Sequence, residues 1–352
     1  MTLPNLRRLP QDTETPLQTE VAKCFLWRYL YARSAESKAA NDIGQDYLTW
    51  AHDEQTWAFC LCDGVSQSFF GNLAAQLLGD YLLEWFWKDC PLSLEPIQIR
   101  SDLIGKLQQL VEPGTEQVRH YSIPSGLPDL LQQVILQKQR HGSETTFVAG
   151  RIDIPCSQFP QGRLTLVWMG DSRLRLWDDT GELTETLGET VQTNRRWSTR
   201  QGLVGGMPGF FESPLVNSKG KPTLRNLLVY SDGLASIDVI TNWLEASELL
   251  EKVRQADEAP TSDDISYLEW WLNPSELSLE PPGLIIKSEL EVTEPPTKFS
   301  IPTPEDASQK EEIEIQSQPD KLDLFPTAIT DVNKLNFQNL LKSIGAKYRR
   351  KI

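Results

Sequence analysis

The stretch that most constrains the fold is Trp57-Ala-Phe-Cys-Leu-Cys-Asp63-Gly64, an apolar run that stops abruptly at an acid and a glycine. A short apolar run bounded by turn residues reads as a buried strand. A carboxylate at its end is mounted on a rigid element where the chain leaves the core. Asp-Gly often does no more than open a turn, so this pair alone assigns no chemistry. The pattern recurs, however. Residues 47–50 read as the preceding strand, entered from Gln45-Asp46 and turned at Asp53-Glu54 into 56–62. Asp46 and Asp63 would then end two paired strands, about 4.8 Å apart. Residues 163–169 run into Gly170-Asp171-Ser172-Arg173 and on to 174–177, which reads as a hairpin with Gly-Asp at its turn. Residues 224–230 end in Ser231-Asp232-Gly233, and Asp263-Asp264 opens the strand 265–271.

Strand-terminal acids therefore stand at 46, 63, 171, 232 and 263. Each alone is satisfied by a turn or a solvated surface. Together they form an oxygen-only donor set, which suits hard cations such as Mg²⁺ or Mn²⁺. Carboxylates this dense repel one another without a cation. Two such ions a few ångströms apart can activate a water and clamp a phosphoryl group.

The rest of the chain bounds the alternatives. Its 352 residues exceed the ~100–150 of a common single domain. A hydrophobic share of 39% with 11 Trp and 12 Phe supports a sizeable core. A net charge of −15 argues against nucleic-acid binding, which rewards basic faces. The five cysteines show no paired metal-type spacing and read as reduced thiols of a cytoplasmic protein. With three His, zinc chemistry and a His-based triad are poorly supplied. The N-terminus lacks a signal-peptide core, and no run approaches the ~20 apolar residues of a membrane span.

Residues 1–21 read as a polar extension lying loosely on the surface, and 24–31 as the first strand. Apolar spacing gives core-packing helices after Asn72, around Leu103–Val111, around Leu130–Ile135 and over 243–253, with a strand at 144–153. Residues 178–222 read as loop. Residues 274–326 hold nine prolines, twelve acids and four lysines, an acidic linker (274–330) too polar to build a core. The segment 331–352 reads as a basic amphipathic helix, suited to docking a protein or to folding back on the acidic domain.

Gln45-Asp46, Asp63-Gly64-Val65, Thr145-Thr146, Gly170-Asp171-Ser172-Arg173, Ser231-Asp232-Gly233-Leu234 and Asp263-Asp264-Ile265-Ser266 occur in a familiar order. Over residues 22–273 the chain resembles the metal-dependent type-2C protein phosphatases, the PPM family. That resemblance implies an α+β fold in four layers, a central antiparallel β-sandwich flanked by helices. It implies two Mg²⁺ or Mn²⁺ ions, with Asp46 on one, Asp63 bridging both, the Gly64 carbonyl as a ligand, and Asp232 and Asp263 completing the set. Asp171 would help hold a third ion. The implied reaction is attack of a metal-bridged hydroxide on phosphoserine or phosphothreonine in a protein substrate, without a phosphoenzyme. The implied setting is cytoplasmic signal transduction, with a partner kinase or other protein at the tail. Many relatives read Asp-Gly-x-Gly-Gly where this chain has Val65-Ser66-Gln67-Ser68, and carry an acid where Gln45 stands. Many also carry a phosphate-gripping Arg near position 41, which here is Asn. Lys38 is the nearest substitute and Arg33 the next. These departures motivate an alternative, a pseudophosphatase that binds a phosphoprotein or kinase without turnover.

Overall fold

The computed structural model describes residues 3–90, 95–123, 125–241, 244–259 and 261–272. The expected linker at 274–330 and helix at 331–352 lie outside the described residues. The strands are β1 (Arg7–Arg8), β2 (Thr15–Ala22), β3 (Phe25–Ala32), β4 (Tyr47–His52), β5 (Thr56–Gly64), β6 (Glu144–Asp153), β7 (Arg163–Met169), β8 (Arg173–Trp177), β9 (Arg196–Ser198), β10 (Gly202–Val204), β11 (Gly209–Ser213), β12 (Asn226–Tyr230) and β13 (Ile265–Leu272). The helices are α1 (Ala35–Ala40), α2 (Gly71–Glu84), α3 (Pro96–Gln109), α4 (Val111–His120), α5 (Asp129–His141) and α6 (Ala246–Asp257).

Two antiparallel sheets result. One runs β1-β4-β5-β6-β7-β11, with β9 joined to β6 and β10 to β9; the other runs β2-β3-β13-β12-β8. Side-chain alternation makes them a sandwich. On β5, Trp57, Phe59 and Leu61 enter the core between the sheets, where they meet Trp27 and Tyr29 of β3 and Trp270 of β13. The alternate residues Ala58, Cys60 and Cys62 face outward onto Leu78 and Leu82 of α2 and Leu103 of α3. Because both faces are buried, β5 reads as one continuous apolar run. The second sheet is covered by Leu249 of α6 and by Leu234 and Ile237 of the 3₁₀ turn Asp232–Ile237. The order is thus helix, sheet, sheet, helix, the α+β architecture read from the sequence. Each fully buried large apolar side chain contributes about 1.5–3 kcal/mol relative to exposure, and the inter-sheet core holds Trp27, Trp50, Trp57 and Trp270 among such residues.

Five expectations need correction. The N-terminal segment is not loose: β2 pairs along β3 from Thr15 to Ala22, and Arg7 and Arg8 pair with β4. Its half-exposed edge position explains why it lacks a clear apolar period. Residues 163–177 are not a hairpin. β7 pairs with β6 and β11, whereas β8 pairs with β12, so Gly170-Asp171-Ser172 crosses from one sheet to the other. Residues 178–222 contain β9, β10 and β11, strands of three to five residues, too short for a period of two to register. The second helical segment is two helices, α3 and α4, meeting at Leu110. Helix α5 is not a core helix: none of its residues is buried and Leu130 is 63% exposed.

Candidate metal centre

The sandwich places the acids at one mouth between its sheets. The β4–β5 register pairs Tyr47 with Cys62, so one step further sets Asp46 opposite Asp63. By alternation Asp63 shares the face of Trp57, Phe59 and Leu61, and Asp46 that of Leu48 and Trp50, both turned toward the second sheet. From that second sheet, Asp232 follows the end of β12 by two residues and Asp263 stands two residues before β13, the antiparallel neighbour of β12. Asp171 arrives on the inter-sheet crossover. Asp63, Asp171 and Asp232 each offer a carboxylate oxygen, and the three oxygens lie within 4.8 Å of one another.

Local packing holds these turns in place. Gly64 lies so close to the start of α2 that a β-carbon there would sit 2.6 Å from the Gly71 carbonyl carbon and 2.7 Å from the Gln45 carbonyl oxygen. Gly71 is packed as tightly from the other side: a β-carbon there would sit 2.6 Å from the Gly64 carbonyl carbon. Gly170 has φ 109° and its β-carbon would fall 2.2 Å from Thr146 Cβ. Thr146 stands opposite Asp63 in the β5–β6 ladder and exchanges a 3.0 Å hydroxyl hydrogen bond with Ser172. The Asp171 turn is therefore fastened to the strand beside Asp63. A β-carbon at Gly233 would lie 2.1 Å from the Asp264 carbonyl oxygen, which seats the Asp232 turn against the β13 entry.

Asp264 is the residue that sequence reasoning left without a role. It is buried; Oδ1 accepts from the Ser34 amide at 2.6 Å and Oδ2 from the Gln45 amide. It thereby moors the N-cap of α1 and the residue before Asp46 to the start of β13. The tandem Asp263-Asp264 was the available signal. Asp263 spends Oδ1 on the Asp264 amide at 2.9 Å and faces solvent.

The electrostatics are those of crowded anions. Asp46 is 2% exposed, and its Oδ2 has no hydrogen-bond partner within the protein. Burial pushes its carboxyl well above the ordinary range, followed by repulsion from Asp264; a hydrogen bond from the Ser231 hydroxyl acts the other way. Asp63 is also pushed well up, by removal from water and then by Asp46, Asp232, Asp263 and Asp171. An all-oxygen set with an orphaned buried carboxylate oxygen fits a hard divalent cation.

The candidate phosphate-gripping cations are already engaged by other groups. Lys38 Nζ, on α1, is held at 2.7 Å by Asp257 of α6, so a phosphate would have to compete with that carboxylate. Arg33 is engaged by Glu14 at 2.8 Å and by the Asp42 carbonyl. Asn41 ends α1 with φ 55°, a left-handed cap that asparagine adopts readily and a β-branched or bulky residue does not.

No family model and no curated protein matches the chain. Among solved structures it is similar to a serine/threonine phosphatase from Staphylococcus aureus, at 13% identity over 74% of this chain and 97% of that one, with a TM-score of 0.46. It is also similar to the S. agalactiae serine/threonine phosphatase (15% identity, 76% and 99% covered, TM-score 0.40) and to a Toxoplasma gondii phosphatase (10%, 73% and 96%, 0.42). No helix among the described residues is long and apolar enough to cross a membrane.

Proposed function

We propose that the chain is a divalent-metal-dependent protein serine/threonine phosphatase of the PPM type. The observation that carries this reading is the convergence of Asp63, Asp171 and Asp232 oxygens within 4.8 Å, beside a buried Asp46 whose Oδ2 has no partner. Mg²⁺ or Mn²⁺ ions at such a site supply Lewis acidity and activate water near neutral pH. Asp46, Asp63, Asp232, Asp263 and Asp171 with the Gly64 carbonyl are the residues that would hold the divalent cations. Asp264 sets the Gln45–Asp46 backbone by its bond to the Gln45 amide. Lys38 meets the phosphate if it leaves Asp257. The substrate is a phosphoserine or phosphothreonine protein in the cytoplasm, and the segment 331–352 docks a partner protein such as a kinase.

The Lys38–Asp257 ion pair favours a second reading, a pseudophosphatase that binds metal and phosphoprotein without turnover. Purified full-length protein separates the two. The phosphatase reading expects aryl phosphate hydrolysis that requires Mn²⁺ or Mg²⁺ and stops with chelator. Loss of an outer-sphere partner commonly costs about 10–100-fold in metal affinity or activity, so Asp63→Asn and Asp232→Asn should each lose at least about 100-fold. Full rate in both variants contradicts the site. Metal binding without hydrolysis of aryl phosphate or any phosphopeptide selects the second reading.

A further inference from the structure

Helix α5 ends in Arg140-His141, and the chain passes through Gly142 and Ser143 into β6. This passage runs beside the turn that leaves the metal mouth. The Phe69 amide donates to the Gly142 carbonyl at 3.0 Å, and the Val65 amide to the Glu144 carbonyl at 2.9 Å. Thr145 then stands opposite Gly64 in the β5–β6 ladder. Arg200 arrives from a separate element, the turn between β9 and β10. Gly142 has φ 95°, and a β-carbon there would lie 3.0 Å from Arg200 Cβ. The approach is fixed by two backbone anchors. The Thr199 amide donates to the Ser143 carbonyl at 2.9 Å, and the Ser143 amide to the Thr199 hydroxyl at 2.9 Å.

Arg140, His141 and Arg200 are all exposed. The acids of the neighbouring elements are already engaged. Glu144 of β6 pairs with Arg196 at 2.5 Å, and Glu116 of α4 pairs with Arg119. Among the described residues, Arg140 and Arg200 form no ion pair. The last turn of a helix favours cations, which accounts for Arg140 but not for Arg200 on its turn. Guanidinium groups match carboxylates in a two-pronged geometry. At 0.15 M salt the screening length is about 8 Å, so a bound segment senses this patch more than the net charge of −15. Arg140 precedes Thr145 by five residues. At ~3.3–3.6 Å per extended residue, a peptide with its phosphoryl group at the mouth spans that distance in about five residues.

We infer that Arg140 and Arg200 form a docking patch for glutamate or aspartate side chains within about five positions of the phosphorylated residue. This makes acid-flanked phosphoserine and phosphothreonine segments the substrate class. The inference rests on the phosphatase reading above, and binding separates the two because it does not require turnover. Twin fluorescein-labelled peptides carry a non-hydrolysable phosphonate analogue of phosphoserine. One has glutamates three to five positions away on both sides, and the other has glutamines there. Both are titrated against the full chain with Mn²⁺ at 0.15 M salt and followed by anisotropy. The glutamate peptide should bind at least about threefold tighter, the scale expected of two exposed ion pairs. Arg140→Gln/Arg200→Gln should abolish that preference, and Arg140→Lys/Arg200→Lys should keep part of it. Lys219→Gln/Lys221→Gln removes the same charge from exposed positions of the loop after β11 and should leave the ratio unchanged. A smaller ratio in the wild type, absence of binding to both peptides, or an equal response to the arginine and lysine double variants overturns the patch. Absence of Mn²⁺-dependent p-nitrophenyl phosphate hydrolysis by the wild type counts instead against the phosphatase reading. Discriminating peptide binding would then leave the patch standing in a binding module.

Discussion

Two regions of this molecule bury carboxylates, and they treat them in opposite ways. Asp153, at the end of β6, is 3% exposed and fully furnished with donors. Arg151 Nε lies 2.9 and 3.0 Å from its two oxygens, Arg163 approaches at 3.3 Å, and the Thr56 hydroxyl donates at 2.9 Å. Glu269 is likewise buried against Arg28 and receives the Asn226 amide at 3.1 Å. At the other mouth of the sandwich Asp46 and Asp63 face Asp232, Asp263 and Asp171, and the largest charge effects on both carboxyls come from other acids. The same chain thus neutralises a buried acid with arginine where the role is architectural, and leaves a set of acids together where the sheets open. Such a set is tolerated when a cation from solution completes it.

The same substitution at the two regions should act with opposite sign. Asp153→Asn removes the charge that Arg151 and Arg163 share, and should destabilise the fold by about 3 kcal/mol or more in urea unfolding. A neutral effect would mean that these arginines find solvent or other partners. Gly64→Ala tests how tightly the metal mouth is built, because the added methyl meets the Gly71 backbone. It should lose about 1–3 kcal/mol of stability as an overpacked site, and lose metal affinity with it. Asp63→Asn in chelator should instead raise the melting temperature, since one repelling carboxylate is gone; a fall would place Asp63 with Asp153 as an architectural acid.

The smallest effect expected is a pH dependence. Asp46 and Asp63 have folded-state pKa values raised above the ordinary ~3.9 of a free aspartate. The folded chain therefore holds protons that the unfolded chain releases. The stability associated with these protonated carboxyls is complete below about pH 3.9 and is lost as pH rises through their folded values. In chelator, the stability advantage of Asp63→Asn over wild type should accordingly widen as pH rises from about 4 toward neutrality. A gap that narrows over that range would show that the carboxylate is stabilised in the fold.

Much of this contrast was legible in the sequence, and the reasons differ by residue. Asp63 could be found because β5 is buried on both faces, so its apolar run is unbroken and its end is marked by an acid. Asp46 followed from strand pairing, and Asp232 and Asp263 from the same strand-and-acid pattern. Asp171 was found as an acid but misplaced in a hairpin, because sequence spacing does not say which sheet a strand joins. Asp264 was hidden beside Asp263, since an acid whose oxygens are taken by backbone amides looks like its neighbour in a string. β2 and β9 to β11 were missed because edge position or brevity erases the alternation that a period-based reading needs. Lys38 was a fair choice by position, but its partner Asp257 lies 219 residues away in sequence and only the fold brings them together.

The central claim is that the acids at the sandwich mouth are completed by divalent cations. Calorimetric titration of the full-length protein with Mn²⁺ tests it most directly. The account predicts saturable binding to wild type, retained in Asp153→Asn protein that remains folded and lost in Asp63→Asn. Absence of saturable binding to wild type, or binding unchanged by Asp63→Asn, would contradict it.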